Sequence, residues 1–143
     1  MITDAQRNAW LEKGYDPGTL KHRELLLDIV SKYATFETLL DVGCCHGPDL
    51  ALYEMAFPGT LLTGFDVTLV DIEAAKQRLE NATVYVQDLR DHLKEIPEKQ
   101  YDIVFSNGVM MYDDKKYVGE LVRIAKKAVI MSERDPYRGK SIS

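Results

Sequence analysis

The chain has 143 residues, and its 18 Lys and Arg against 23 Asp and Glu give a formal net charge of -5. Hydrophobic residues make up 45% and charged residues 29%, a mix that supports one sizeable core and excludes a disordered chain or a disulfide-stapled miniprotein. No apolar run approaches the roughly 18–20 residues of a membrane span, and the polar opening run from Met1 to Asn8 holds no signal-peptide hydrophobic segment, so a cytoplasmic location is expected.

The first eighteen residues are mixed and end in the turn-like Asp16-Pro17-Gly18. From Thr19 to Tyr33, Leu20, Leu26, Leu27, Ile29 and Val30 recur with helical spacing, and Thr19 is placed to cap the start. Glu37 to Val42 reads as a short buried strand ending at Gly43. Pro48 to Phe57 reads as a helix with proline at a tolerated early position, stopped by Pro58-Gly59. Thr60 to Phe65 is a second strand, ending at Asp66. Leu69 to Glu80 is an amphipathic helix with Leu69, Ile72, Ala75 and Leu79 on one face. Thr83 to Val86 is a third strand, followed by Gln87-Asp88 and a short helix over Asp91 to Glu95. Tyr101 to Phe105 is a fourth strand. Asp113 to Lys126 is a helix whose Tyr117, Val118, Leu121, Val122 and Ala125 share a face, and Ala128 to Met131 is a fifth strand.

Strands that alternate with helices, and that are apolar on both faces, predict a parallel sheet buried on both sides: an α/β three-layer fold. No repeat or low-complexity stretch divides it. Residues 1–143 therefore read as one domain, with an arm and helix over 1–35, an α/β core over 36–133 and a tail over 134–143. The acidic balance argues against broad binding to nucleic acid. Arg134, Arg138 and Lys140 form a small basic patch that reads as a solvated tail. The adjacent Cys44-Cys45 and the scattered His22, His46 and His92 make no metal-ligand pattern, so no metal is expected.

In such sheets ligands lie outside the carboxyl ends of the strands, which makes the residues there the ones to read for function. The first strand ends Asp41-Val42-Gly43-Cys44-Cys45-His46-Gly47. Glycines allow a tight turn and close backbone approach to a ligand, and Asp41 sets a carboxylate beside that turn. A nicotinamide-type G-x-G-x-x-G would need glycine at Cys45 and Pro48, so that fit is poor. The run instead resembles the first motif of class I S-adenosylmethionine-dependent methyltransferases, an acidic residue, any residue, then G-x-G-x-G, matched by Asp41, Gly43 and Gly47 with Cys45 in place of the middle glycine. Asp66 follows 25 residues later at the end of the second strand, Asp88 follows the third, and the fourth leads into Ser106-Asn107. The order and spacing of these four strand ends carry the resemblance from Thr38 to Met131.

The resemblance implies a Rossmann-like sandwich with a mainly parallel sheet of about five strands, and S-adenosylmethionine as cofactor. Asp41 would lie near the cationic end of its methionine part, Gly43, Cys44, Cys45 and Gly47 along the backbone cradle, Asp66 and Val67 at the ribose, and Asp88 and Leu89 at the adenine. Ser106 and Asn107 would lead to the reaction centre. Each residue also has a plainer reading. Asp41 could cap a turn, Asp66 could be a solvated strand end and Asp88 the N-cap of the next helix. The two cysteines read as small packing residues rather than nucleophiles. Trp10 and Tyr15 read as packing of the N-terminal arm ahead of a lid over the cofactor. No catalytic base is identified; His46, Tyr112 and Asp113 are candidates by position alone.

Methylases of base amines and of glutamine resemble one another in an Asn-Pro-Pro-Tyr type run after the fourth strand, whereas this chain has Ser106-Asn107-Gly108-Val109-Met110-Met111-Tyr112. That difference and the acidic charge favour a small-molecule acceptor. Family members usually continue with a further helix and an antiparallel strand pair, so a C-terminally shortened sheet is expected. Its apolar fifth strand would then be an open edge, which predicts self-association there. Two other readings stand beside the methyltransferase: a non-catalytic module binding S-adenosylmethionine or S-adenosylhomocysteine with a partner, and a nucleotide-dependent enzyme such as a dehydrogenase.

Overall fold

The computed structural model describes residues 2–33, 35–109 and 115–132. The elements run α1 (Asp4–Glu12), a 3₁₀ turn (Pro17–Thr19), α2 (Leu20–Ser31), β1 (Thr38–Val42), α3 (Pro48–Ala56), β2 (Leu61–Asp66), α4 (Leu69–Arg78), β3 (Thr83–Val86), α5 (Leu89–Glu95), β4 (Tyr101–Asn107), α6 (Lys115–Ile124) and β5 (Ala125–Ser132). The five strands form one sheet in the order β3-β2-β1-β4-β5, and every pairing is parallel. The chain builds outward from β1 to β3, then returns to lay β4 on the other side of β1. This reversal of strand order falls between β1 and β4, the switch point at whose carboxyl ends α/β sheets receive their ligands.

The two-residue period of a strand decides which core each side chain enters. Leu39 of β1 and Ile103 and Phe105 of β4 pack with Trp10, Leu27, Leu50 and Tyr53 under α1, α2 and α3. Leu40, Val42 and Val104 point the other way, joining Phe65, Leu93, Tyr117, Leu121 and Ile124 under α5 and α6. By that parity Asp41 stands on the same face as Leu39, toward α3.

The expected elements are present, although the Thr19 side chain makes no cap hydrogen bond at α2 and several strand ends shift by one to three residues; four further differences have a clear physical cause. First, α1 forms inside the segment read as mixed. Its signal is a capping box: the Gln6 amide donates to Thr3 Oγ1 at 3.1 Å and the Thr3 amide donates to Gln6 Oε1 at 2.9 Å. Second, α4 ends at Arg78 rather than Glu80. Leu79 is already extended, and Glu54 of α3 draws the amides of Glu80, Asn81 and Ala82 onto its carboxylate. Third, α5 starts two residues earlier than expected, at Leu89, because Asp88 caps it. Fourth, Ala125 and Lys126 belong to β5 and not to α6. The strand begins at Ala125 directly after the helix, with Ala125 opposite Tyr101 and a register shift before Ile103. The expected start of that helix at Asp113 lies outside the described residues.

Candidate functional site

The turn after β1 is held by unusual backbone. Gly43, Cys45 and Gly47 have φ of 74°, 51° and 88°. The amides of Gly43 and Cys44 both donate to the Phe65 carbonyl of β2 at 3.0 Å, and the Gly47 amide returns to the Cys44 carbonyl at 3.0 Å. A side chain at Gly43 would fail on two grounds: the φ, and a Cβ only 2.6 Å from Val109 Cγ2. Gly47 then leads into α3, whose first position is Pro48, where a missing amide hydrogen costs nothing.

Cys45 takes a left-handed conformation although it is not glycine. Its amide is rewarded by a hydrogen bond to Asp66 Oδ2 at 3.0 Å, while Asp66 Oδ1 accepts from the Thr68 amide at 3.1 Å. Asp66 is 8% exposed at the end of β2, so one buried carboxylate ties the loop after β1 to the loop after β2. Burial, with the charges of Asp66 and Asp41 adding to it, pushes the Cys45 thiol up to about 12 and the Cys44 thiol higher still, burial leading there too. Neither is a thiolate nucleophile near neutral pH. Cys44 is a packing residue: a Cβ on Gly64 would meet its Cβ at 2.9 Å and its Sγ at 3.0 Å.

Asp41 is 2% exposed. Burial first, then Asp49, hold this carboxyl well above the usual range; Arg23 works against them and Asp66 with them. Asp49, which sequence reasoning missed, stands in the first turn of α3 and is 5% exposed. Arg23 Nη1 of α2 donates to its Oδ2 at 2.8 Å, and Asn107 Nδ2 at the end of β4 donates to the same atom at 3.1 Å. The available signal was an acidic residue just after Pro48, where a helix start favours negative charge.

The remaining expected residues divide. Asn107 joins the cluster through Asp49. Ser106 faces away from it, paired at 2.8 Å with the Tyr117 hydroxyl in the opposite core. Asp88 is exposed and caps α5, accepting from the Asp91 amide at 3.0 Å. Leu89 lies over Gly43, its Cδ2 at 3.5 Å from where a Cβ would be, and Val67 is 57% exposed beside Asp66. The half-buried His46 ring tilts against Tyr15 at 5.5 Å between centroids, and burial together with Arg78 and Arg23 lowers its pKa, with Asp71 opposing. Tyr112, Asp113, Arg134, Arg138 and Lys140 lie outside the described residues.

Trp10 and Tyr15 pack against the turn as expected of the arm. The Trp10 indole donates to the Pro48 carbonyl at 2.9 Å, the Tyr15 hydroxyl donates to the His46 carbonyl at 3.3 Å, and the two rings stack at 5.0 Å. The N-terminal arm therefore buttresses the glycine turn from outside the sheet.

A parallel sheet with a switch in strand order, a glycine turn after β1 and acids at the ends of β1, β2 and β3 define a Rossmann-like α/β domain. Within that class the chain belongs to the methyltransferase-domain family, whose model matches residues 36–140. It is 30% identical over 79 residues to malonyl-[acyl-carrier protein] O-methyltransferase 1 of Ilyobacter polytropus, an alignment covering 53% of this chain and 28% of that protein. The fold is similar to that of the plantazolicin methyltransferase BpumL in complex with SAH (TM-score 0.68, 18% identity, covering 92% of this chain and 59% of that one). It is also similar to geranyl diphosphate C-methyltransferase from Streptomyces coelicolor in complex with Mg2+, geranyl diphosphate and S-adenosyl-L-homocysteine (TM-score 0.66, 18% identity, 79% and 45%). The chain thus spans less than two thirds of the length of each protein it matches here. Among the described residues no helix is long and apolar enough to cross a membrane.

Proposed function

We propose that this chain binds S-adenosylmethionine at the carboxyl ends of β1, β2 and β3 and serves methyl transfer to a small-molecule acceptor. The observation that carries the reading is the way the strand ends are joined: the buried Asp66 at the end of β2 accepts from the Cys45 amide inside the left-handed turn after β1, with the buried Asp41 close by. The residues fit such a cofactor. Asp66 spends one lone pair of each oxygen on an amide and keeps capacity for the ribose hydroxyls. Asp88, with one cap bond, has capacity for the adenine amino group, and the apolar Val67 and Leu89 flank that position. Gly43, Cys44, Cys45 and Gly47 supply close backbone, and Asn107 borders the switch point from β4.

When bound, the cofactor supplies a methyl group already activated on a sulfonium, so the protein's work is to bind, align and dehydrate the reactants. His46, neutral near pH 7 because its pKa is lowered, is able to accept a proton, but its ring is committed to Tyr15 and no base role is assigned to it. The small-molecule acceptor is supported by geranyl diphosphate in one structural relative and by the absence of an Asn-Pro-Pro-Tyr run after β4.

The test is calorimetric binding of S-adenosylmethionine and S-adenosylhomocysteine to the wild type and to Asp66→Ala. Micromolar binding of both, weakened about 10-fold or more by the substitution, is expected from the loss of charge-assisted hydrogen bonds of roughly 1.5–3 kcal/mol each. Absence of binding to the wild type overturns the reading. Binding with no turnover across a panel of acceptors would make the chain a binding module instead.

A further inference from the structure

The turn after β1 is gripped from two sides. Its first half is held by β2: the amides of Gly43 and Cys44 donate to the Phe65 carbonyl, and the Cys45 amide donates to Asp66 Oδ2 at 3.0 Å. Its second half is held by the N-terminal arm. The Tyr15 hydroxyl donates to the His46 carbonyl at 3.3 Å and the Trp10 indole to the Pro48 carbonyl at 2.9 Å, one on each side of Gly47. Arg23 of α2 adds a third bond, from Nη1 to Asp49 Oδ2 at 2.8 Å. His46, Pro48 and Asp49 are thus bonded to side chains between 26 and 38 residues earlier in the chain.

The arm is itself fastened in place. Trp10 and Tyr15 are buried, and their rings stack at 5.0 Å between centroids. The Arg78 guanidinium lies over the Tyr15 ring at 5.2 Å, and Lys13 Nζ donates to the Arg78 carbonyl at 2.7 Å, which ties the arm to the end of α4. Leu79 closes in on the same turn: a Cβ on Gly47 would meet its Cδ1 at 3.0 Å. Trp10, Tyr15 and Arg23 all precede residues 36–140, the part that the methyltransferase-domain model matches. The turn needs holding at both ends. Cys45 is left-handed at φ 51° without being glycine, and such a conformation persists only where its surroundings over-determine it.

We infer that Tyr15 and Trp10 are positioning residues of the cofactor site: from outside the sheet they fix residues 45–48 in the shape that the cofactor binds, so that docking of the arm and binding of the cofactor are one coupled equilibrium. The inference rests on the cofactor reading above. Both side chains act through the backbone of the turn, and their contribution to affinity is preorganisation. Coupling of this kind is reciprocal. The factor by which the arm's grip raises affinity is the factor by which the bound cofactor tightens the grip.

The experiment compares the full-length wild type with Tyr15→Phe and Asp102→Ala. Calorimetric binding of S-adenosylhomocysteine is measured well below each Tm, so that every variant is folded. Tyr15→Phe keeps the stack on Trp10 and removes the bond to the His46 carbonyl. It is expected to weaken binding about 2- to 10-fold, the share of one neutral hydrogen bond. Asp102→Ala removes the carboxylate that accepts the Glu37 amide at 2.7 Å at the opposite, amino end of the sheet. It is expected to lower Tm and leave affinity unchanged. Trp10 is the one tryptophan of the chain, so its fluorescence reports on the grip. Its emission is expected to shift as the wild type saturates, with half of the shift at the calorimetric Kd. Binding by Tyr15→Phe as tight as that of the wild type overturns the inference and leaves the cofactor reading standing. Equal weakening in Asp102→Ala also overturns it, because affinity would then follow stability alone. If Tyr15→Phe does not fold, the Trp10 emission decides, and no shift at saturation overturns the inference. Failure of the wild type to bind S-adenosylhomocysteine overturns the cofactor reading, and this inference with it.

Discussion

Gly43 can be tested with a double-mutant cycle. At φ 74° an L-residue costs about 1–2 kcal/mol, and the new Cβ of Gly43→Ala would sit 2.6 Å from Val109 Cγ2. Overpacking of that kind costs roughly 1–3 kcal/mol. The lower chain entropy of alanine in the unfolded state returns about 0.5–1 kcal/mol. The net loss is then about 2–4 kcal/mol, or a fall in Tm of roughly 5–15 °C for a chain of this size. Val109→Ala removes the atom that clashes but not the backbone strain. In the double variant the steric part should vanish, leaving a coupling energy of about 1–3 kcal/mol between the two sites. Urea denaturation of the four proteins measures it. Additivity within about 0.5 kcal/mol would refute the contact as the reason for glycine, and an unchanged midpoint for Gly43→Ala would refute both parts.

Cys45→Gly should stabilise the chain by up to about 1 kcal/mol, read as a higher urea midpoint, because strain at φ 51° is relieved at some cost in chain entropy while the amide bond to Asp66 is kept. For Asp41 the sign follows from its raised pKa: the folded state binds more protons than the unfolded one, so its contribution is full below the ordinary carboxyl value and is lost as pH rises through the folded value. Asp41→Asn is therefore expected to raise Tm at pH 7 and to flatten the decline above pH 4, with a Tm series across pH as the check. Among the described residues β5 pairs with β4 alone, and we propose that its outer edge joins a second copy. Light scattering at micromolar concentration should then give a dimer mass, and a sharp monomer mass would count against it.

The sheet was legible because the strands carry short apolar runs, and the first four end on, or lead within two residues to, Gly, Asp or Asn where the chain must leave the sheet. The boundaries that moved were those set by contacts distant in sequence. Nothing local in Leu79-Glu80 says that Glu54 will unwind α4, and nothing in Ala125-Lys126 outweighs their helical pattern until β4 offers a partner strand. The capping box at Thr3 and Gln6 is a local signal for α1, but the residues after it are mostly polar and give the helix little apolar face. The site divides in the same way. Asp41, Gly43, Gly47 and Asp66 stand out by spacing along the chain. Asp49 acquires its meaning only when α2 brings Arg23 and β4 brings Asn107 against it, 26 and 58 residues away in sequence.

Three buried acids stand near the carboxyl ends of β1 and β2, and the fold treats each one differently. Asp66 accepts one hydrogen bond on each oxygen, from backbone amides in the turns after β1 and β2. Asp49 is neutralised on one oxygen by a guanidinium and an amide, and abandoned on the other. Asp41 is the most deeply buried of the three, at 2% exposed, with Asp49 and Asp66 both acting to raise its pKa. If burial were only a packing accident, a threonine or an asparagine at position 41 would cost less. We propose that a carboxylate kept buried there, where the strand order reverses, is held for a ligand rather than for packing.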